Sequence, residues 1–196
     1  NYLALGNMEK GLEILKQNNV CNINSNLIGY IYAVELNKTE EAKNYLISSM
    51  LAIINQVIRT VSGMAFVYAQ TRGRECISAA LWLMDFFDSL KVDTSAITFL
   101  DKFKAILMAQ CSVWEASFGC MNDAKEHIAA AYKLAKEFDE SPVYTMENIR
   151  FFKGMENEGA SFDGIGKTAI DAVEQFVFVK KIETKAGKQM KEQWEE

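Results

Sequence analysis

The chain has 196 residues, 49% of them apolar, with a single proline, eleven glycines and a formal net charge of −5. That length can bury a sizeable core in one domain, or in one domain plus an extension, and the balance is that of a folded, largely helical protein; disordered and many-turned β chains are excluded. The negative charge argues against this segment gripping a nucleic-acid backbone by itself, so any DNA contact is expected from a domain outside the chain.

From the amino end, Gly6 makes a turn and Asn7 caps a short helix to about Gln17, with Met8, Leu12 and Leu15 as its buried stripe. Ile23 to Leu36 supplies the next helix, and a turn at Asn37 leads to Thr39-Glu40-Glu41, where acids in the first turn oppose the helix dipole. The following apolar stretch either breaks between Ile54 and Arg59 or continues as one long bent helix, because neither Pro nor Gly marks the break. A turn at Gly73 separates it from the helix Glu75 to Leu90, which carries Trp82, Leu83, Phe86 and Phe87. Asp93-Thr94-Ser95 then caps the clearest helix, where Leu100, Phe103, Leu107, Cys111, Trp114 and Phe118 recur every three or four residues up to the stop at Gly119. After Pro142 the character changes. Gly154, Gly159, Gly164 and Gly166 mark a loop, Lys167 to Ile182 reads as an apolar helix with Ile170, Val173, Phe176, Val177 and Phe178, and the tail from Glu183 is highly charged. The expected organisation is therefore a helical body over 1–140 and a helical extension over 141–196 that packs on its open end, with a frayed tail.

One unit recurs along this chain: a turn, a polar first helical turn, a small residue, then apolar positions at helical spacing. The small residues Gly11, Ala42, Ser78 and Ala124 are separated by 31, 36 and 46 residues. In a helix hairpin a small residue at this place lets the second helix approach its partner closely. Gly119 to Ala131, together with Gly6 to Leu15, resembles the second half of a tetratricopeptide unit, whose ideal period is ~34 residues. More loosely, the whole chain is similar to the tetratricopeptide-like carboxy-terminal halves of bacterial helix-turn-helix transcription regulators. It departs from the repeat at Cys111-Ser112, where Leu-Gly is usual, and at Glu115, where an aromatic is usual.

The resemblance implies an all-α, irregular tetratricopeptide-like helical-hairpin solenoid with a C-terminal helical cap. It also implies a non-enzymatic peptide- or protein-binding role, the regulatory or sensor part of a transcription regulator, whose DNA-binding domain precedes Asn1. The alternative is a structural scaffold or homodimerisation domain that packs against a copy of itself. In such a superhelix the first helix of each pair lines the concave face, which points to Asn26, Tyr30, Thr60, Val67, Gln70 and Val113 as the partner groove. The amides of Asn26 and Gln70 suit an extended peptide because each both donates and accepts. Asn1 is not a methionine and only Tyr2 to Leu5 precede the first turn, so the chain is expected to be part of a longer protein.

Chemistry-bearing residues are few. Cys21, Cys76, Cys111 and Cys120 form no C-x-x-C pair and His127 is the single histidine, so neither a metal nor a cofactor is expected and the thiols read as reduced in a cytoplasmic protein. His127 reads as a partly exposed helix-surface residue with no third group to orient its ring for nucleophilic catalysis. Gly164-Ile165-Gly166-Lys167-Thr168 copies the end of a phosphate-binding loop, but Ser161 stands where the first glycine belongs and no apolar strand precedes it. Phe66, Tyr68, Trp82, Phe86 and Phe87 read as core, and Arg72 and Arg74 as solvated or carbonyl-capping residues beside a turn. No membrane partner is expected, since the apolar runs are cut by Asn55, Gln56 and Asp85 short of the ~20 residues a bilayer requires.

Overall fold

A computed structural model describes residues 7–20, 23–140, 148–152 and 168–179. Among the described residues the backbone is mostly helical, with no strand and one isolated bridge. The chain divides into two compact units, Asn1–Thr60 and Val61–Glu196, whereas the sequence reading drew its boundary after residue 140. The expected turn at Gly6, the glycine loop and the charged tail lie outside the described residues.

In the first unit, α1 (Met8–Gln17) begins where Asn7 Oδ1 accepts a hydrogen bond from the Lys10 N–H at 3.2 Å, satisfying a donor that a helix start leaves unpaired. Next comes α2 (Ser25–Tyr30), which passes directly into a π-helical turn over Ile31–Glu35. There the Leu36 N–H reaches back to the Ile31 carbonyl at 3.1 Å, so the helix expected over 23–36 is shorter and its last turn is wound wider. Asn37 turns the chain at φ 52°. Helix α3 (Thr39–Gln70) follows, 32 residues without a break. A methyl group on Gly29 would meet the Leu46 side chain at 2.7 Å and the Ala42 carbonyl at 3.1 Å. The small residue expected at position 42 is therefore buried at a close approach, in a core with Leu12, Ile28, Ile31 and Tyr32. Tyr32 stacks on Tyr45 with ring centres 5.6 Å apart, and the Lys16 ammonium donates to its hydroxyl at 2.5 Å.

Of the two readings of the stretch around Ile54–Arg59, the unbroken helix is the one that forms. Nothing there removes a backbone donor, and Asn55 and Gln56 are helix-compatible side chains on an exposed face. Arg59 is the only charged residue between Lys43 and Arg72. Consequently α3 is, among the described residues, the one helix long and apolar enough by length and composition to cross a membrane, which the sequence reading missed by counting Asn55 and Gln56 as interruptions.

In the second unit, α4 (Glu75–Leu90) buries Cys76, Ala80, Leu83, Met84, Phe87 and Leu90. Ser78, the small residue that the repeat pattern placed at a hairpin crossing, is exposed. It lies two residues from both Cys76 and Ala80, roughly 200° around the helix from each, so the pattern was out of register here. The left-handed residue of the preceding turn is Arg72, at φ 57°, and Gly73 only follows it. The Gly73 N–H bonds the Tyr68 carbonyl at 2.8 Å and that of Arg72 bonds the Ala69 carbonyl at 3.2 Å, a Schellman closure with arginine in the position glycine usually fills.

Helix α5 (Phe99–Ser117) starts later than expected, because Thr98 and not Asp93-Thr94-Ser95 caps it. Asp93 closes a local turn instead, accepting from the Ser95 N–H at 2.9 Å and the Ser95 hydroxyl at 2.7 Å. Asp101 Oδ2 accepts from the Thr98 N–H at 2.6 Å while Thr98 caps in return, a capping box. The other oxygen, Oδ1, takes the Lys91 ammonium at 2.5 Å, and both side chains are buried. Lys91 also forms the isolated bridge with Ile149, flanked by bonds from Val92 N–H to Asn148 at 2.8 Å and from Arg150 N–H to Leu90 at 2.7 Å. These bonds hold Ile149 and Phe152, both fully buried.

Gly119 closes α5 at φ 83°. Its N–H bonds the Ala116 carbonyl at 3.1 Å and that of Cys120 bonds the Glu115 carbonyl at 2.8 Å, as the sequence signal requires. The chain then doubles back into α6 (Met121–Glu140), and α5 and α6 are the most closely packed helices of the described chain. Alanines make this approach possible: Ala105, Ala109, Ala116, Ala124, Ala131 and Ala135 are buried in one cluster with Ile128 and Phe138. Finally α7 (Ala169–Val179) packs on both, with Ala169 and Val173 in the same cluster. Its first turn is tied to α6 by Asp139, whose carboxylate accepts from the N–H groups of Ala169 at 2.7 Å and Ile170 at 3.0 Å, a charge-assisted bond to the positive end of a helix.

Candidate functional site

The α5–α6 hairpin brings together the three residue types that the sequence reading had considered apart. Cys111 and Glu115 are four residues apart, hence neighbours on one face of α5, and His127 is on α6 one helix turn after Asp123. The Cys111 thiol donates to Glu115 Oε1 at 3.6 Å, and His127 Nδ1 lies 2.8 Å from Glu115 Oε2. Cys111 and Glu115 are buried, while the His127 side chain keeps 25% of its surface in solvent. Sulfur, carboxylate oxygen and imidazole nitrogen all lie within 4.8 Å of one another.

Glu115 therefore supplies the orienting group that the sequence reading found lacking for His127. It was missed because the contact spans twelve residues across a hairpin. The one available signal was its departure from the repeat, an acid where an aromatic is usual. Burial, and after it the Glu115 carboxylate alongside, push the Cys111 thiol far above its ordinary range. A thiol so held stays protonated at neutral pH and is a poor nucleophile. As a polar clamp between two helices the cluster satisfies each of its members.

The proposed groove residues fall in both units. Asn26 and Tyr30 are exposed one turn apart on α2, and Asn26 Oδ1 accepts from the Leu27 N–H at 2.8 Å, so part of its amide is already engaged. Thr60 is exposed on α3. In the second unit Val67 and Gln70 are exposed one turn apart on α3, whereas Val113 is buried on α5. Val113 therefore packs inside the second unit, because α5 is buried over nearly its whole circumference from Cys111 to Ala116.

Two aromatics expected in the core are on the surface. Trp82 is 53% exposed and Phe66 is 43% exposed, while Phe87 is fully buried and Phe86 stacks against Trp82 with ring centres 5.7 Å apart. Met64, Val67 and Leu81 of the same unit are also exposed. Arg74 covers the Phe118 ring at 5.6 Å, a cation–π contact that adds to its expected role beside the turn. Of the phosphate-loop look-alike only Thr168 is described; it caps α7, accepting from the Asp171 N–H at 3.0 Å. No family model, curated protein or solved structure matches the chain.

Proposed function

We propose that this chain is a non-enzymatic, peptide- or protein-binding domain built as a tetratricopeptide-like helical solenoid, the regulatory part of a bacterial transcription regulator that acts in the cytoplasm. The observation that carries the reading is the number of large apolar side chains left exposed on α3 and α4 of the second unit. Met64, Phe66 and Val67 on α3 and Leu81 and Trp82 on α4 remain in solvent, although a monomer gains by burying such side chains. Gln70, one turn from Val67, adds a donor and an acceptor at the same surface. The muted thiol of Cys111 fits a binding role better than a catalytic one. The close-packed α5–α6 pair, with its glycine turn and buried Ala124, has the form of a repeat hairpin, and α7 covers that pair as a terminal cap would.

The test is binding of extended peptides from an arrayed library, with affinities measured by fluorescence anisotropy for wild type and for Val67→Glu combined with Gln70→Ala. We expect the double variant to lose at least ~tenfold in affinity, about 1.4 kcal/mol, with an unchanged melting curve. Peptide binding that survives intact, or none at all, overturns the reading. Self-association of wild type that the same variant abolishes favours homodimerisation instead, and flotation with lipid vesicles would reassign α3 to a membrane. A coding sequence for a helix-turn-helix domain directly upstream of Asn1 is the matching genetic expectation.

A further inference from the structure

The three donor atoms on the α5–α6 hairpin differ in kind, and that combination has a use beyond clamping two helices. We propose that Cys111, Glu115 and His127 form a three-ligand site for zinc(II), with a fourth position left to water or an external donor. This inference stands independently of the peptide-binding reading.

Geometry comes first. With zinc–sulfur bonds of about 2.3 Å and zinc–nitrogen or zinc–oxygen bonds of about 2.0–2.2 Å, donors in a tetrahedral site sit roughly 3.2–3.6 Å apart. Here Cys111 Sγ and Glu115 Oε1 are 3.6 Å apart, Glu115 Oε2 and His127 Nδ1 are 2.8 Å apart, and all three donors lie within 4.8 Å. The two contacts use different oxygens of Glu115, and side-chain shifts of about an ångström would bring one of them, Sγ and Nδ1 to these separations. The hairpin supplies the rigid frame, because alanines hold α5 and α6 in close contact on either side of the site.

Donor chemistry then selects the ion. Thiolate, imidazole and carboxylate together suit zinc, whereas calcium and magnesium prefer oxygen alone. Charge also balances: a thiolate and a carboxylate neutralise the dication, so no net charge is left in the buried pocket. On binding, the Cys111 S–H bond breaks and its proton passes to solvent as the sulfur–metal bond forms. The Nδ1 proton shared with Glu115 passes to solvent while Nε2 carries the ring's remaining proton, taken from solvent where the ring was neutral, so that the Nδ1 lone pair faces the metal and Glu115 exchanges two hydrogen bonds for a metal bond. The partly exposed edge of His127 gives the ion its way in and the open coordination position its access to water.

The probe is cobalt(II) in place of zinc, added to the reduced, chelator-treated full chain. We expect one cobalt per chain, a near-ultraviolet thiolate-to-cobalt charge-transfer band, intense visible bands of tetrahedral cobalt, and loss of all of these on adding zinc. Cys111→Ser should remove the charge-transfer band. His127→Ala, at a partly exposed position and with its fold checked by circular dichroism, should weaken binding by at least the ~10–100-fold seen when even an outer partner of a metal ligand is lost. A variant carrying Cys21→Ser and Cys120→Ser should keep the band. Absence of the band in wild type, its persistence in Cys111→Ser, its loss in the Cys21/Cys120 variant, or undiminished affinity in His127→Ala would each overturn the proposal.

Discussion

Removing Asp101 should strongly destabilise the second unit. Its carboxylate accepts three bonds, from the Lys91 ammonium at 2.5 Å, the Thr98 N–H at 2.6 Å and the Thr98 hydroxyl at 2.9 Å, and the Lys91 and Asp101 side chains are 4% and 1% exposed. Asp101→Ala leaves a buried ammonium without its carboxylate, which costs about 3–5 kcal/mol, and it opens the capping box, which adds about 1 kcal/mol. The expected loss is therefore about 4–6 kcal/mol, a large part of the ~5–15 kcal/mol a domain has. Lys91→Met should cost less, because Asp101 keeps both bonds from Thr98. The double variant Lys91→Met/Asp101→Leu should also be more stable than Asp101→Ala, since it strands no charge. Denaturant unfolding followed by far-ultraviolet circular dichroism measures all three. If Asp101→Ala unfolds outright, recovery of a cooperative transition in the double variant carries the same information. A loss under ~1 kcal/mol for Asp101→Ala, or a double variant no more stable than that single one, would refute the assignment of energy to this buried pair.

Two further perturbations probe the packing. Ala124 is fully buried in the cluster between α5 and α6, so Ala124→Leu should destabilise by about 1–3 kcal/mol through overpacking, read from the denaturation midpoint. Burial, followed by the Glu174 carboxylate, pushes the Tyr132 hydroxyl up from 10.0 to about 12. The folded chain thus holds the proton longer than the unfolded chain does. This stabilisation is complete below pH 10 and is lost as pH rises through about 12. Relative to Tyr132→Phe, wild type should lose about 1–2 kcal/mol across that window after allowance for solvent screening. Parallel stability curves for the two proteins between those pH values would contradict this.

Local signals carried much of the fold. Asn7 at a helix start, Asn37 and Gly119 at left-handed turns, and the small residues Gly11, Ala42 and Ala124 at buried positions all follow from rules that act within a few residues: side-chain capping, permitted φ, and the room a helix partner needs. Where two local solutions competed, sequence alone chose wrongly. Thr98 outbid Asp93 as the cap of α5 because Asp101 and the buried Lys91 complete its box, and Lys91 arrives from the far side of the loop. Ser78 looked like a crossing residue, yet the buried face of α4 is set by the helices it meets and passes through Cys76 and Ala80.

The candidate site marks the same divide. Cys111 and Glu115 were legible as neighbours, since helical spacing fixes them on one face. Nothing local told that His127 would fold back onto Glu115, because that meeting depends on the depth at which α6 lies against α5, and the buried alanines of both helices set that depth together. Exposure was decided in the same way. Val113 and Trp82 are both large apolar residues at helical spacing, and only the arrangement of neighbouring helices buries the first and leaves the second in solvent. Sequence by itself determined the helix start at Asn7 and the turns at Asn37 and Gly119, because those events are settled by a side chain and its nearest backbone. Tertiary structure alone decided which faces touch and which polar groups share a pocket, because burial belongs to the set of packed elements and to no single one of them.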